Sequence, residues 1–337
     1  MRFPLTPFLP SLLLRARRRG KQTPQYDSFD TCACTCTIFL SGMNTTEKDG
    51  AGLRPSIRYV IGVDEAGRGC MAGPVGVAAT LYRITTTPVR YTVMDSKKMK
   101  DRARAEALKA MCAELSDASV EDFLGATMRD GACCLVRYQH RQPLQAVAVA
   151  LVDVAVISER NILNATLEGM SAVCDAIVRS YNAVRGLGVL TPLTCAILID
   201  GNRVPWTFLS SEDRQRVHVQ ARKKVEARKR IGVEYPVLDG FGSTTVVKGD
   251  ATMLSIAAAS IVAKVVRDAY ATAVMHRAFP QYGFDQHKGY CTAAHEVELV
   301  RWGPSPFHRL DYAPVRAVLE SRAAGQQTPP CIVERAG

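Results

Sequence analysis

Three apolar runs in this chain of 337 residues lead into acids, and no other feature constrains its fold as much. Tyr59-Val60-Ile61-Gly62-Val63 meets Asp64-Glu65, and Cys195-Ala196-Ile197-Leu198-Ile199 meets Asp200-Gly201-Asn202. A third run, Thr244 to Val247, passes through Lys248-Gly249 into Asp250. Runs of this kind read as buried strands, and helical patterns separate them, so an α/β layer architecture is expected. Strand ends that share one edge of such a sheet are where α/β proteins place their chemistry. Asp64 and Glu65 pose a geometric problem, because neighbouring side chains on a regular strand point to opposite faces. The expectation is that Asp64 projects from the strand while Glu65 leaves the pleat at the Gly67 turn.

Four carboxylates at one edge repel one another unless cations lie between them. Oxygen-only ligands suit Mg²⁺ or Mn²⁺, and two such ions about 3.5–4 Å apart can hold both the attacking and the leaving oxygen of a phosphodiester displacement. The net charge of +11 favours a polyanionic partner such as nucleic acid. No stretch reaches the roughly 18–20 apolar residues of a membrane span, so a soluble protein without a membrane partner is expected. The eleven cysteines are scattered and odd in number, and Cys32, Cys34 and Cys36 lack zinc-site spacing. A dinucleotide-binding turn is disfavoured: Gly67, Gly69 and Gly73 have the wrong spacing, and no acid follows about 20 residues on.

Along the chain, paired strands are expected at 58–64 and 75–82, helices at 101–115 and 159–185, and strands at 195–199 and 244–247. A helix from Met253 to Ala273 follows. Before Asp27 there is no acid, while Arg2, Arg15, Arg17, Arg18, Arg19 and Lys21 are present. Such a leader resembles a mitochondrial presequence, with nucleus or cytoplasm as the alternatives; a basic arm that holds nucleic acid is the other reading of the segment. Residues 214–230 are strongly basic and read equally as added phosphate contacts or a solvated helix face.

Taken together, the motifs resemble those of type 2 ribonuclease H, the ribonuclease HII family. They run in family order: Gly62-Val-Asp-Glu-Ala-Gly-Arg-Gly69, Met71-Ala-Gly-Pro-Val75, Asp95-Ser-Lys-Lys98, Asn161-Ile-Leu-Asn-Ala-Thr166, Ile199-Asp-Gly-Asn202 and Lys248-Gly-Asp-Ala251. The segment Ser255-Ile-Ala-Ala-Ala-Ser-Ile-Val-Ala-Lys264 comes next, then Val266-Arg-Asp268, Tyr282-Gly-Phe284, His287-Lys-Gly-Tyr290 and Gly303-Pro-Ser-Pro-Phe-His-Arg309. The resemblance implies a ribonuclease H-like α/β fold, a mixed five-stranded sheet flanked by helices with a small helical C-terminal region. It divides the chain into a leader (1–56), a catalytic domain (57–275), a helical region (276–325) and a tail (326–337).

The resemblance also implies an endoribonuclease of DNA replication and repair, acting as a monomer. Its substrates would be RNA/DNA hybrids and ribonucleotide-containing duplex DNA, cut on the 5′ side of the ribonucleotide to leave 3′-hydroxyl and 5′-phosphate ends. It carries a four-carboxylate set onto Asp64, Glu65, Asp200 and Asp250 as catalytic and metal residues with two divalent ions. Gly67, Arg68 and Gly69 become the ribose-sensing turn, and Tyr290 the partner of the 2′-hydroxyl. Lys97 and Arg267 are candidate phosphate partners, and His287 and His308 are expected to serve structure. Cys70 departs from the proline that the family commonly has there.

Overall fold

Strand β1 (Tyr59–Ala66) is apolar at almost every position because both of its faces are covered, so no polar alternation survives in it. It lies inside a mixed six-stranded sheet of order β3-β4-β2-β1-β5-β6. Its partners are β2 (Val75–Arg83), antiparallel, and β5 (Cys195–Asp200), parallel. β4 (Leu144–Val152) and β3 (Ala132–Val136) extend the antiparallel side, and the short β6 (Ser243–Val246) pairs parallel with β5. The chain is seen as a computed structural model that describes residues 57–93, 96–115, 119–137, 142–209 and 235–324.

One face of the sheet packs on the long helix α4 (Ile162–Arg185), whose Met170, Val173, Ile177 and Tyr181 meet Ile61, Val63, Val77 and Ala79. The other face carries α6 (Leu254–Tyr270) with α1 (Asp101–Leu115) and α2 (Val120–Asp130). The run of small residues in α6 has a steric cause. A Cβ on Gly62 would lie 2.2 Å from the Ser255 carbonyl carbon, and one on Gly76 would lie 2.9 Å from the Ala263 oxygen. Helix and strand backbones therefore almost touch, and Gly62 on β1 with Ala259, Ser260 and Ala263 on α6 make that approach possible.

The expected mixed sheet with flanking helices is present, with six strands rather than five. The strands near 58–64, 75–82, 195–199 and 244–247 are all found within two residues of their expected ends, and α1 spans 101–115 as expected. The single helix expected over 159–185 is two: α3 (Val154–Arg160) stops before Asn161, whose φ of 64° breaks the spiral, and its side chain caps α4 through Asn164 N. After Tyr270, α6 runs on as a π-turn through His276. The C-terminal region is helical, with α7 (Phe284–His287), α8 (Ala293–Trp302) and α9 (Ala313–Ala323); α5 is the short turn Gly249–Thr252. The leader, the basic stretch 214–230, Asp95 and the tail lie outside the described residues. No described helix is long and apolar enough to cross a membrane.

Candidate active site

Parallel pairing of β1 with β5 brings two of the acids together. The register ends at Val63–Ile199, so Asp64 and Asp200 follow side by side at the same sheet edge. β6 ends beside Asp200, and Lys248, at a φ of 57°, turns the chain so that Gly249 begins α5. Asp200 Oδ1 accepts from Gly249 N at 2.7 Å and from Asp250 N at 3.4 Å, which fixes the third acid against the second. Asp64 and Asp250 are each only 4% exposed. Asp64 Oδ1 accepts from Glu65 N at 2.7 Å, and Ser260 of α6, whose Oγ lies 2.8 Å from Ser96 Oγ, opposes the rise of the Asp64 pKa.

Burial is the main reason that three of these carboxyls titrate high. Asp64 is held well above the usual carboxylate range by desolvation, then by the charges of Glu65 and Asp200. Glu65 is raised by desolvation, with Arg68 opposing it, and Asp200 by desolvation and then by Asp250. The shared influences run round the set, as expected of acids gathered where water is scarce. Positive charge comes from Lys97, whose Nζ is 2.8 Å from Asp250 Oδ2, and from Arg68, whose Nη1 is 3.1 Å from Glu65 Oε1. The ion pair with Asp250 raises the Lys97 pKa.

Glu65 corrects one expectation. It does not leave the pleat: β1 continues through Ala66, and Glu65 stays in register with Val77. The ladder to β2 outlasts the acids by one residue, so Glu65 approaches the group by the length of its side chain at the sheet end. The donor set is all carboxylate, two of its members buried and two half-buried, and it is short of counter-charge, which fits a hard divalent cation. Among the described residues, no three His, Cys, Asp or Glu side chains close on one point as a ready-made metal cage. The acids are gathered, then, but they do not form a finished cage.

The second half of the site is the Gly67-Arg68-Gly69 turn. The two glycines differ in use. A Cβ on Gly67, where φ is 88°, would lie 1.9 Å from Arg267 Nε, so glycine there is required by the interior and not by a ligand. Around Gly69 nothing lies within 4 Å of the added carbon, and that side of the turn is open. The expectation for Arg267 as a phosphate partner is overturned. Its side chain is fully buried, donating to the carbonyls of Pro74 (3.1 Å), Ala72 (3.1 Å) and Lys288 (2.7 Å).

Tyr290 sits beside that arginine, with Arg267 Cζ 5.4 Å and Lys264 Nζ 4.9 Å from the centre of its ring. Its segment is pinned by the Met71-Ala72-Gly73 strip. Met71 N and Ala72 N donate to Gly289 O, Gly73 N donates to Phe307 O, and Arg309 N donates to Met71 O. The strip thus bridges the segments holding Tyr290 and Arg309, and places Tyr290 near the turn. His287 and His308 are tied into this region by hydrogen bonds, His287 to Tyr282 O and Gly289 N and His308 to Ser305 N and His295 Nε2. Sequence reasoning passed over His295, a lone histidine outside the quoted motifs, and gave Arg309, the last residue of one of them, no role.

Comparison with known proteins places the chain in a family. The family model described as Ribonuclease HII matches residues 61–231 and 214–315. The chain is 33% identical over 272 residues to the ribonuclease HII of Maricaulis maris, covering 81% of this chain and 89% of that one. It is 35% identical over 268 residues to ribonuclease HII 1 of Methylibium petroleiphilum, covering 80% and 96%. The ribonuclease H2 structure from Pyrococcus horikoshii is 18% identical with a TM-score of 0.36, covering 78% of this chain and 97% of that one. These curated relatives are bacterial enzymes, which overturns the expectation of a mitochondrial protein; the cytoplasmic alternative is consistent with them. The chain belongs to the ribonuclease HII family and is a ribonuclease H, a hydrolase of phosphodiester bonds that acts on RNA/DNA hybrids.

Proposed function

We propose that this ribonuclease H cuts the RNA strand of hybrids and the 5′ side of single ribonucleotides in duplex DNA, leaving 3′-hydroxyl and 5′-phosphate ends. The carrying observation is the gathering of Asp64, Glu65, Asp200 and Asp250 at one sheet edge with three of their pKa values raised. These four would hold two divalent ions, Mg²⁺ or Mn²⁺; when bound, such ions activate water and stabilise charge on the phosphate oxygens. The protein's own part is positional. Asp200 is anchored on the amides of Gly249 and Asp250, and Asp64 on the amide of Glu65, so two of the ligands keep their aim before substrate arrives.

Lys97 is mostly exposed at the rim and is placed to meet a backbone phosphate. Gly67, Arg68, Gly69 and Tyr290 read the 2′-hydroxyl, which is both donor and acceptor and marks the sugar as ribose. The division into a catalytic domain over 57–275 and a helical region over 276–325 follows the same reading, with the helical region supplying Tyr290 to a site otherwise built on the sheet. A single chain carries all these groups, consistent with a monomer. The test is incubation with a hybrid, with a duplex containing one ribonucleotide and with an all-DNA duplex, each with Mg²⁺, Mn²⁺ or EDTA. Cleavage of the first two in metal alone, 5′ of the single ribonucleotide, supports the reading; cleavage in EDTA or of DNA alone defeats it.

A further inference from the structure

Arg309 is buried to 1% exposure, and among the described residues no carboxylate pairs with it. An unpaired buried guanidinium is costly unless its donors are all used. Here they are used on the backbone of one turn. Nη2 donates to Gly67 O at 2.7 Å and to Pro74 O at 3.3 Å, Nη1 donates to Arg68 O at 2.8 Å, and Nε donates to Gly73 O at 2.9 Å. Nη1 also reaches Tyr312 Oη at 3.0 Å, and the Tyr312 hydroxyl itself donates to Arg68 O.

A trans peptide is planar, with its C=O and the following N–H pointing in opposite directions. Fixing the Gly67 and Arg68 carbonyls on a buried guanidinium therefore turns the amides of Arg68 and Gly69 the other way. Residues 68 and 69 are exposed, and neither amide finds an acceptor among the described residues. Two successive free N–H groups on one outward face form a small concavity for an oxygen ligand. We infer that Arg309 is a positioning residue for ribose recognition, setting the Arg68 and Gly69 amides as paired donors to a sugar or phosphate oxygen of the substrate. This rests on the ribose-sensing reading of the turn.

The residue before it serves the other half of the sensor. Ser305 N donates to His308 Nδ1 at 2.9 Å, so His308 carries its proton on Nε2 and donates it to His295 Nε2 at 3.1 Å. His295, left with its proton on Nδ1, donates to Tyr290 O at 2.9 Å. Adjacent residues 308 and 309 thus hold the Tyr290 backbone and the glycine turn in one frame.

The test uses the full chain with Arg309→Lys, which keeps the charge and loses the fork, and Tyr312→Phe, which removes one donor from Arg68 O. Single-turnover cleavage of a duplex with one ribonucleotide is measured in Mg²⁺ at saturating enzyme, and affinity for the same duplex is measured in EDTA. The expected result for Arg309→Lys is cleavage about 10- to 100-fold slower, as for a displaced positioning group, with affinity little changed. Tyr312→Phe should move the same way and less. A folded Arg309→Lys enzyme with the wild-type rate overturns the assignment, as does a rate loss matched by an equal loss of affinity. Should Arg309→Lys fail to fold, Tyr312→Phe decides: slowed cleavage with intact affinity supports the role, and the wild-type rate overturns it. The ribose-sensing reading fails separately, if wild-type enzyme cuts an all-DNA duplex as fast as the ribonucleotide-containing one.

Discussion

Lys97 Nζ stands 2.8 Å from Asp250 Oδ2, joining a mostly exposed cation to a buried acid of the sheet edge where the four carboxylates gather. The lysine's position suits a phosphate arriving at that edge, and its exposure makes the ion pair a weak contributor to stability. Lys97→Met should therefore weaken binding to hybrids of any sequence and lower the slope of log affinity against log salt by about one, with little change in melting temperature. An unchanged salt slope in a titration series would show that Lys97 makes no phosphate contact.

Raised carboxyl pKa values have a consequence for stability. A carboxylate whose folded pKa exceeds its unfolded value favours folding at low pH, and that advantage is lost as pH rises through the folded value. Asp64, Glu65 and Asp200 all have this sign. Asp200→Asn keeps an oxygen for Gly249 N and removes one charge, so in EDTA it should melt above wild type near pH 7. The gap should close toward about pH 4, where the wild-type carboxyls are protonated. A gap that widens on acidification would reverse the sign and contradict the crowded-acid description.

Tyr290→Phe keeps the ring beside Arg267 and Lys264 and removes one hydrogen bond of about 0.5–1.5 kcal/mol. Cleavage should slow moderately, most of all on a duplex with a single ribonucleotide, where no neighbouring ribose can substitute. Tyr290→Ala should be slower still. Equal single-turnover rates for all three proteins on that duplex would make Tyr290 a packing residue only.

The histidines give a prediction independent of catalysis. Burial is the main cause lowering all three, bringing His295 to about 3 and His308 to about 4. Gly289 N donates to His287 Nδ1, so His287 carries its proton on Nε2 and donates to Tyr282 O at 2.6 Å. Nitrogen-15 NMR should find neutral rings near pH 7, protonated on Nε2 in His287 and His308 and on Nδ1 in His295. A doubly protonated ring or a swapped tautomer at His295 or His308 would break the chain to Tyr290.

The gathering of acids at one sheet edge was legible because they follow apolar runs, a local pattern that strand pairing turns into proximity. Much of the remaining fold was not. β4, with the sequence LQAVAVALV, is rich in alanine and alternates too weakly to tell strand from helix, and β3 is only five residues long. The break at Asn161 depends on a single positive φ inside a continuous helical pattern. Arg267 stood as a candidate phosphate partner because arginines are seldom buried, and its partners are three backbone carbonyls, which no sequence pattern marks, with Asp268 3.9 Å away. The metal and substrate roles of individual residues came from motif resemblance, since spacing alone does not distinguish a ligand from a cap.

We propose that Asp64, Glu65, Asp200 and Asp250 act as one metal-dependent hydrolytic set on the RNA strand of a hybrid. It is tested most directly by comparing wild type with Asp200→Asn on a hybrid duplex in Mg²⁺, with binding measured in parallel in EDTA. The expected result is RNA cleavage by wild type, no detectable cleavage by Asp200→Asn and nearly equal affinities. Cleavage by Asp200→Asn at the wild-type rate would contradict it.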